Sequence, residues 1–185
     1  LEYYKRYFSA MQTLGATVFV LHGNKGPIQA ELYAERFAML AELGKTFGVV
    51  VAQENVARCT SRSLDFLLQM QKLLGNDAKF VLDIKQAVRS NENPMQMLQK
   101  LGSHIVHVHL SDHGEYGDCL PVGKGRFDVR TFLQTLSTCS PDCSVILELY
   151  RSSFNNVQDL VNNYLVIQHM LAPGSANKTD SIPIR

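Results

Sequence analysis

Apolar positions along the chain follow two rhythms. Leu1, Tyr4, Phe8, Met11 and Leu14 recur every three or four residues, as on one face of a helix, and Gly15 ends the run. The β-branched stretch ATVFVL (16–21) follows and stops at the polar HGNKGP. Helical spacing returns over 28–46 through Leu32, Tyr33, Phe37, Leu40 and Leu43. FGVVVAQEN (47–55) then reads as a strand, 61–74 as a helix carrying Leu64, Leu67, Met70 and Leu74, and KFVLDIK (79–85) as a strand. Pro94 suits the first turn of a helix that runs to Leu101. HIVHVHL (104–110) is a strand, Asp128–Leu136 a helix, CSVILELY (143–150) the last strand and 154–171 the last helix. The Pro-, Gly- and Ser-containing segment 172–185 reads as a flexible tail, leaving one domain over 1–171.

Alternation of apolar strands with helices predicts an α/β protein whose parallel strands are covered by crossover helices. Five strand–helix units follow an unpaired helix, which suits either an open doubly wound sheet or the later part of a (β/α) barrel.

The polar residues at the strand ends separate the two. His22, Glu54, Asp83, His109 and Glu148 each stand where an apolar run stops, 32, 29, 26 and 39 residues apart. An open sheet spreads five such positions over ~20 Å, at roughly 4.8 Å per strand, whereas a barrel gathers them at one face. The barrel is therefore the expected fold. Two Glu, one Asp and one His form an oxygen-rich donor set suited to one divalent ion (Mn, Co, Mg or Zn) with positions left for substrate. His107 has the same parity as His109 and points to the same side of its strand.

Composition narrows the function classes. Eighteen basic and 17 acidic residues give a net charge of +1, so no broad field draws the chain to nucleic acid or anionic lipid. The apolar runs are strand-sized, too short for a membrane span. Cys59, Cys119, Cys139 and Cys143 form no CxxC pair; Cys139 and Cys143 could bridge around Ser-Pro-Asp, but free thiols in a reducing cytoplasm are the expectation.

VLHGNKG, VVVAQENV, FVLDIKQA, HVHLSD, LPVGKGRFD and VILELY, in this order and spacing, resemble the xylose isomerase-like TIM barrels. That superfamily includes sugar phosphate isomerases and epimerases and, more distantly, the endonuclease IV group. The resemblance covers residues from about 14 to 170, and HVHLSD, PVGKGRFD and ILELY are its most specific parts. It implies the C-terminal five βα units of an eight-fold barrel, with the first three absent. A typical barrel has ~250 residues, and the chain opens on Leu1, so it reads as a piece of something longer. An open five-strand arc bares a sheet edge, and the isolated chain is expected to be unstable or to associate, for instance as a homo-oligomer.

The resemblance also implies roles. Glu54, Asp83, His109 and Glu148 become metal ligands, and Glu54 and Glu148 also the acid/base pair. The implied reaction is isomerisation or epimerisation of a sugar or sugar phosphate by proton transfer through a metal-stabilised enediolate. His22, Lys85, Gln86, His107, Lys124 and Arg151 are the candidate substrate contacts, with Arg126 a further cation for an anionic substrate end. Asp112 is either a partner that fixes a histidine tautomer or a loop-starting aspartate. The family often has His three residues after the strand Asp. Here Gln86 stands in its place, which weakens the alternative of a metal-dependent apurinic-site endonuclease or phosphodiesterase. A non-catalytic barrel domain that binds a sugar or a partner protein is the other alternative.

Overall fold

The computed structural model describes residues 1–172; the expected tail, apart from Ala172, lies outside the described residues. Five strands form one parallel sheet: β1 (Val18–Leu21), β2 (Val50–Glu54), β3 (Phe80–Asp83), β4 (Ile105–Leu110) and β7 (Ser144–Leu147), ordered β1-β2-β3-β4-β7. The helices are α1 (Glu2–Leu14), α2 (Ala30–Thr46), α3 (Leu64–Leu74), α4 (Ile84–Arg89), α5 (Pro94–Leu101), α6 (Val129–Cys139) and α7 (Val157–Leu171). A two-stranded antiparallel hairpin, β5 (Asp112–Gly114) and β6 (Gly117–Leu120), rises between β4 and α6.

The faces predicted for α3 and α6 are mostly buried, whereas Leu1 and Leu14 at the two ends of the α1 face and Leu32 of α2 are exposed. Leu64, Leu67 and Met70 of α3, Met97, Leu98 and Leu101 of α5, and Val129, Phe132, Leu133 and Leu136 of α6 are buried. They meet Phe80, Leu82, Ile105, Val108 and Leu110 from the strands in one core. Each such side chain contributes about 1.5–3 kcal/mol by leaving water. Ser63, Asp83, Asn93, Asp128 and Asn156 cap α3, α4, α5, α6 and α7 by accepting a backbone N–H from the first turn.

The sheet is a curled half-barrel. On a flat sheet β2 and β7 stand roughly 14 Å apart. Carboxylate oxygens borne by Glu54 of β2 and by Glu148, just after β7, nevertheless lie within 4.8 Å of each other. β1 and β7 each have one strand neighbour, and the β7 flank stays open: Val145 and Ile146, with Val161, Tyr164 and Leu165 of α7, are exposed.

The hairpin and α4 depart from the sequence reading. KFVLDIK ends as a strand at Asp83, whose side chain starts α4 at once. The segment after HVHL, in place of a plain loop, folds onto the carboxylate of Asp112. Oδ1 accepts from His113 N at 2.7 Å and Phe127 N at 3.0 Å, and Oδ2 from Gly123 N and Gly125 N at 2.9 Å. This settles Asp112 as the anchor of the glycine-rich loop and not the partner of a histidine. At Gly125 an added Cβ would run into Asp112 Oδ1 and the His113 carbonyl oxygen. All four cysteines are free, and no helix among the described residues is long and apolar enough to cross a membrane.

Asp112→Ala leaves four backbone N–H groups without their acceptor and should cost about 3 kcal/mol or more. Gly125→Ala should destabilise by a similar mechanism while leaving Asp112 in place. Both are read by urea denaturation; wild-type midpoints in both variants would contradict the anchoring role.

Candidate metal centre

Four neighbouring strands each deliver one ligand-type side chain to the same point. Glu54 is the last residue of β2 and Asp83 the last of β3; His109 lies one residue before the end of β4, paired with Asp83 in register. Glu148 follows β7 directly, its N–H still bonded to the Leu110 carbonyl at 3.0 Å. One donor atom from each of the four lies within 4.8 Å of all the others.

His109 Nδ1 sits 2.9 Å from Glu148 Oε2 and 3.5 Å from both Glu54 Oε1 and Asp83 Oδ2. Yet Glu54 Oε2, Asp83 Oδ2, His109 Nδ1 and Glu148 Oε2 are all buried without a hydrogen-bond partner. Buried polar atoms are rarely left so. Four of them converging on one point, three anionic and one an imidazole nitrogen, fit a divalent cation. Asp83 has its other oxygen committed: Oδ1 accepts from Gln86 N at 2.9 Å.

The charges are strongly coupled. Burial opposes the imidazolium form of His109, but Asp83, Glu148 and Glu54 outweigh it and raise its pKa to about 11. Glu148 is driven well below the usual carboxylate range by His109, against the effect of burial, with Lys85 adding to the shift. Burial raises Asp83, and His109 and the Gln86 amide pull it back only in part. Burial also lowers His107, and the neighbouring His109 reinforces this.

The other sequence candidates are placed at varying remove. Lys85 is no solvated rim lysine: its side chain is 4% exposed, with Nζ 3.0 Å from Glu148 Oε1, 3.5 Å from Asp83 Oδ2 and 5.2 Å above the Tyr150 ring. His22 stands just past β1 with Nε2 3.1 Å from Glu54 Oε2, its side chain more than half exposed. His107 lies beside His109, ring centroids 5.2 Å apart, and its Nδ1 meets Ser144 Oγ at 2.6 Å. Gln86 accepts from Ala57 N at 3.0 Å, tying α4 to the segment after β2. Lys124 is exposed on the Asp112-anchored loop. Arg126 pairs with Glu115 at 2.7 Å, and Arg151 is turned to its own loop, donating to the carbonyls of Phe154 and Asn155.

Sequence reasoning missed the residues that support the cluster. Gln53 Nε2 lies against the carbonyls of Leu21, His22 and Glu54, and Tyr33 donates to its Oε1. Asn55 donates to the Asp83 carbonyl at 3.0 Å and accepts the Asp83 N–H at 2.7 Å, bracing β2 against β3. Ser61 donates to the Glu54 carbonyl at 2.8 Å. The signal for two of them was the polar run Gln-Glu-Asn closing an apolar strand.

Comparison with known proteins agrees with this architecture. The family model for the xylose isomerase-like TIM barrel matches residues 1–167, and the chain belongs to that family. An uncharacterised protein of Mycobacterium leprae (strain TN) is 26% identical over 185 residues, which cover 84% of this chain and 64% of that protein. The chain thus spans less than two thirds of that relative. Among solved structures, a D-tagatose 3-epimerase-like protein superposes with a TM-score of 0.70 at 22% identity, covering 89% of this chain and 66% of the other. AsbF of Bacillus anthracis, a probable 3-DHS dehydratase, gives 0.73 at 16% identity over 90% and 70%. An IolI protein with a bound zinc atom gives 0.71 at 17% identity over 93% and 70%.

Lys85→Met removes the cation between Glu148 and Asp83 and should cost roughly 2 kcal/mol without added metal, below the full cost of a broken buried pair because Glu148 is partly exposed. Millimolar Mn²⁺ should restore most of the lost thermal stability; equal loss with and without the ion would refute the charge argument. Because the His109 pKa is raised, the stability it contributes to the metal-free protein is fully present below the ordinary imidazole value of 6.5 and is lost as pH rises through about 11. A ligand imidazole must be neutral, so each ion bound at pH 7 should displace about one proton, and affinity should rise with pH. Calorimetry in buffers of different ionisation enthalpy measures that proton directly.

Proposed function

We propose that this chain carries the reactive centre of a divalent-metal-dependent isomerase or epimerase acting on a sugar or sugar phosphate. The observation that supports it is the convergence of one donor atom from each of Glu54, Asp83, His109 and Glu148 to within 4.8 Å of the others. The D-tagatose 3-epimerase-like and zinc-bound IolI neighbours are consistent with that chemistry. These four residues would hold one divalent ion (Mn, Co, Mg or Zn), whose contribution is Lewis-acid polarisation of adjacent carbonyl and hydroxyl oxygens.

The protein's own groups move the proton. Glu54 and Glu148 come from strands that flank β3 and β4, so they reach the centre from its two sides. One removes the proton from the carbon next to the carbonyl, and the other returns it to the same or the adjacent carbon. Glu148 suits the base: the Lys85 ammonium stays beside it at 3.0 Å, and its side chain is 41% exposed. Lys85 fixes the Glu148 carboxylate through Oε1 and leaves Oε2 for the centre. His22, His107 and Gln86 would serve as hydrogen-bonding groups for sugar hydroxyls, and Lys124, exposed on the anchored loop, would serve as a further contact. Arg151, held by its own loop, stays outside this set. Positioning matters as much as charge, because reacting atoms held close together gain large effective molarities.

In the complete protein, Glu148→Gln should keep the far-UV spectrum and lower kcat by at least about 10³-fold, the scale of a lost general base. Metal analysis should find one ion per chain. Full turnover by the variant after exhaustive chelation would refute the mechanism, and three ions per chain would favour a phosphodiesterase of the same family.

A further inference from the structure

A second group of charges lies off the metal centre. Lys25, Arg58 and Arg62 line a cleft of about 530 Å³ between the loops that follow β1 and β2. Among the described residues none of the three side chains has an ion-pair partner, and all three are exposed. The acidic residue of the cleft is Asp65, exposed in the first turn of α3. Three cations against one carboxylate leave a local charge of +2 in a chain whose net charge is only +1.

The cleft is built, not assembled from loose ends. Thr60 N donates to the Asn24 carbonyl at 2.9 Å and Thr60 Oγ1 to that of Gly26 at 2.7 Å, which ties the two loops together. Ser61 reaches back to the carbonyls of Glu54 and His22. Ser63, which caps α3 (Leu64–Leu74), also lines the cleft. The loops holding Lys25 and Arg58 are the ones that start at His22 and Glu54.

We propose that this cleft binds a phosphate monoester, and that Lys25, Arg58 and Arg62 hold the phosphate of a sugar phosphate whose other end lies at Glu54 and Glu148. A dianionic phosphate, carrying about −1.5 to −2 at neutral pH, matches the +2 of the cleft. The substrate part of this inference rests on the isomerase reading; the phosphate site does not. Of the cations the sequence offered for an anionic end, Arg126 and Arg151 are occupied by Glu115 and by loop carbonyls, and Lys124 is exposed on the glycine-rich loop.

The test uses the complete protein, with the double variant Arg58→Gln/Arg62→Gln and, as control, Lys72→Gln near the other end of α3. Calorimetry with inorganic phosphate should show binding that the double variant weakens about 100-fold, roughly tenfold for each charge-assisted hydrogen bond removed, and that the control leaves intact. In turnover assays the preference in kcat/KM for a ketose phosphate over the same ketose should fall by a similar factor, mainly through KM. Phosphate bound equally by wild type and double variant, or by neither, overturns the site. Phosphate binding abolished by the double variant, with no ketose or ketose phosphate converted by wild type, upholds the site and sinks the isomerase reading alone.

Discussion

Three carboxylates brought within reach of one ion repel each other, and much of the structure serves to make that crowding tolerable. At the effective dielectric of a protein interior, two like charges 4 Å apart cost roughly 4 kcal/mol. Lys85 and protonated His109 offset this in part in the metal-free protein, and one oxygen each of Glu54, Asp83 and Glu148 stays buried without a hydrogen bond. A fully hydrogen-bonded version of the same four side chains would have no reason to take up a cation.

Curvature is the second requirement, and the polar residues around the cluster enforce it. Asn55 brackets both backbone groups of Asp83, and Gln53 touches carbonyls from β1 and from its own strand. These are hydrogen bonds from buried side chains to backbone groups that would otherwise need water. They lock neighbouring strands at the height at which Glu54, Asp83 and His109 can meet.

The five sheet strands were legible because each is a short apolar, β-branched run, and the ligand set because one ionisable residue stands where each run stops. Asp112 and Lys85 were not. A side chain that accepts four backbone N–H groups looks in sequence like any loop aspartate, and a lysine's burial depends on residues 63 positions away, as its bond to Glu148 shows. The hairpin was missed because its strands are only three and four residues long, and α4 because its cap is itself the last residue of β3. The unpaired state of Lys25, Arg58 and Arg62 is likewise invisible until the loops are folded, since it is defined by which acids stay away.

The grip of Asp112 on the glycine-rich segment is a grip on main-chain amides. Nothing in it depends on what residues 124 and 126 carry beyond their Cβ atoms. Evolution, or an engineer, can therefore exchange those two side chains for others of different size or charge while the loop keeps its path, so one part of the barrel mouth is free to change its chemical taste without renegotiating its shape.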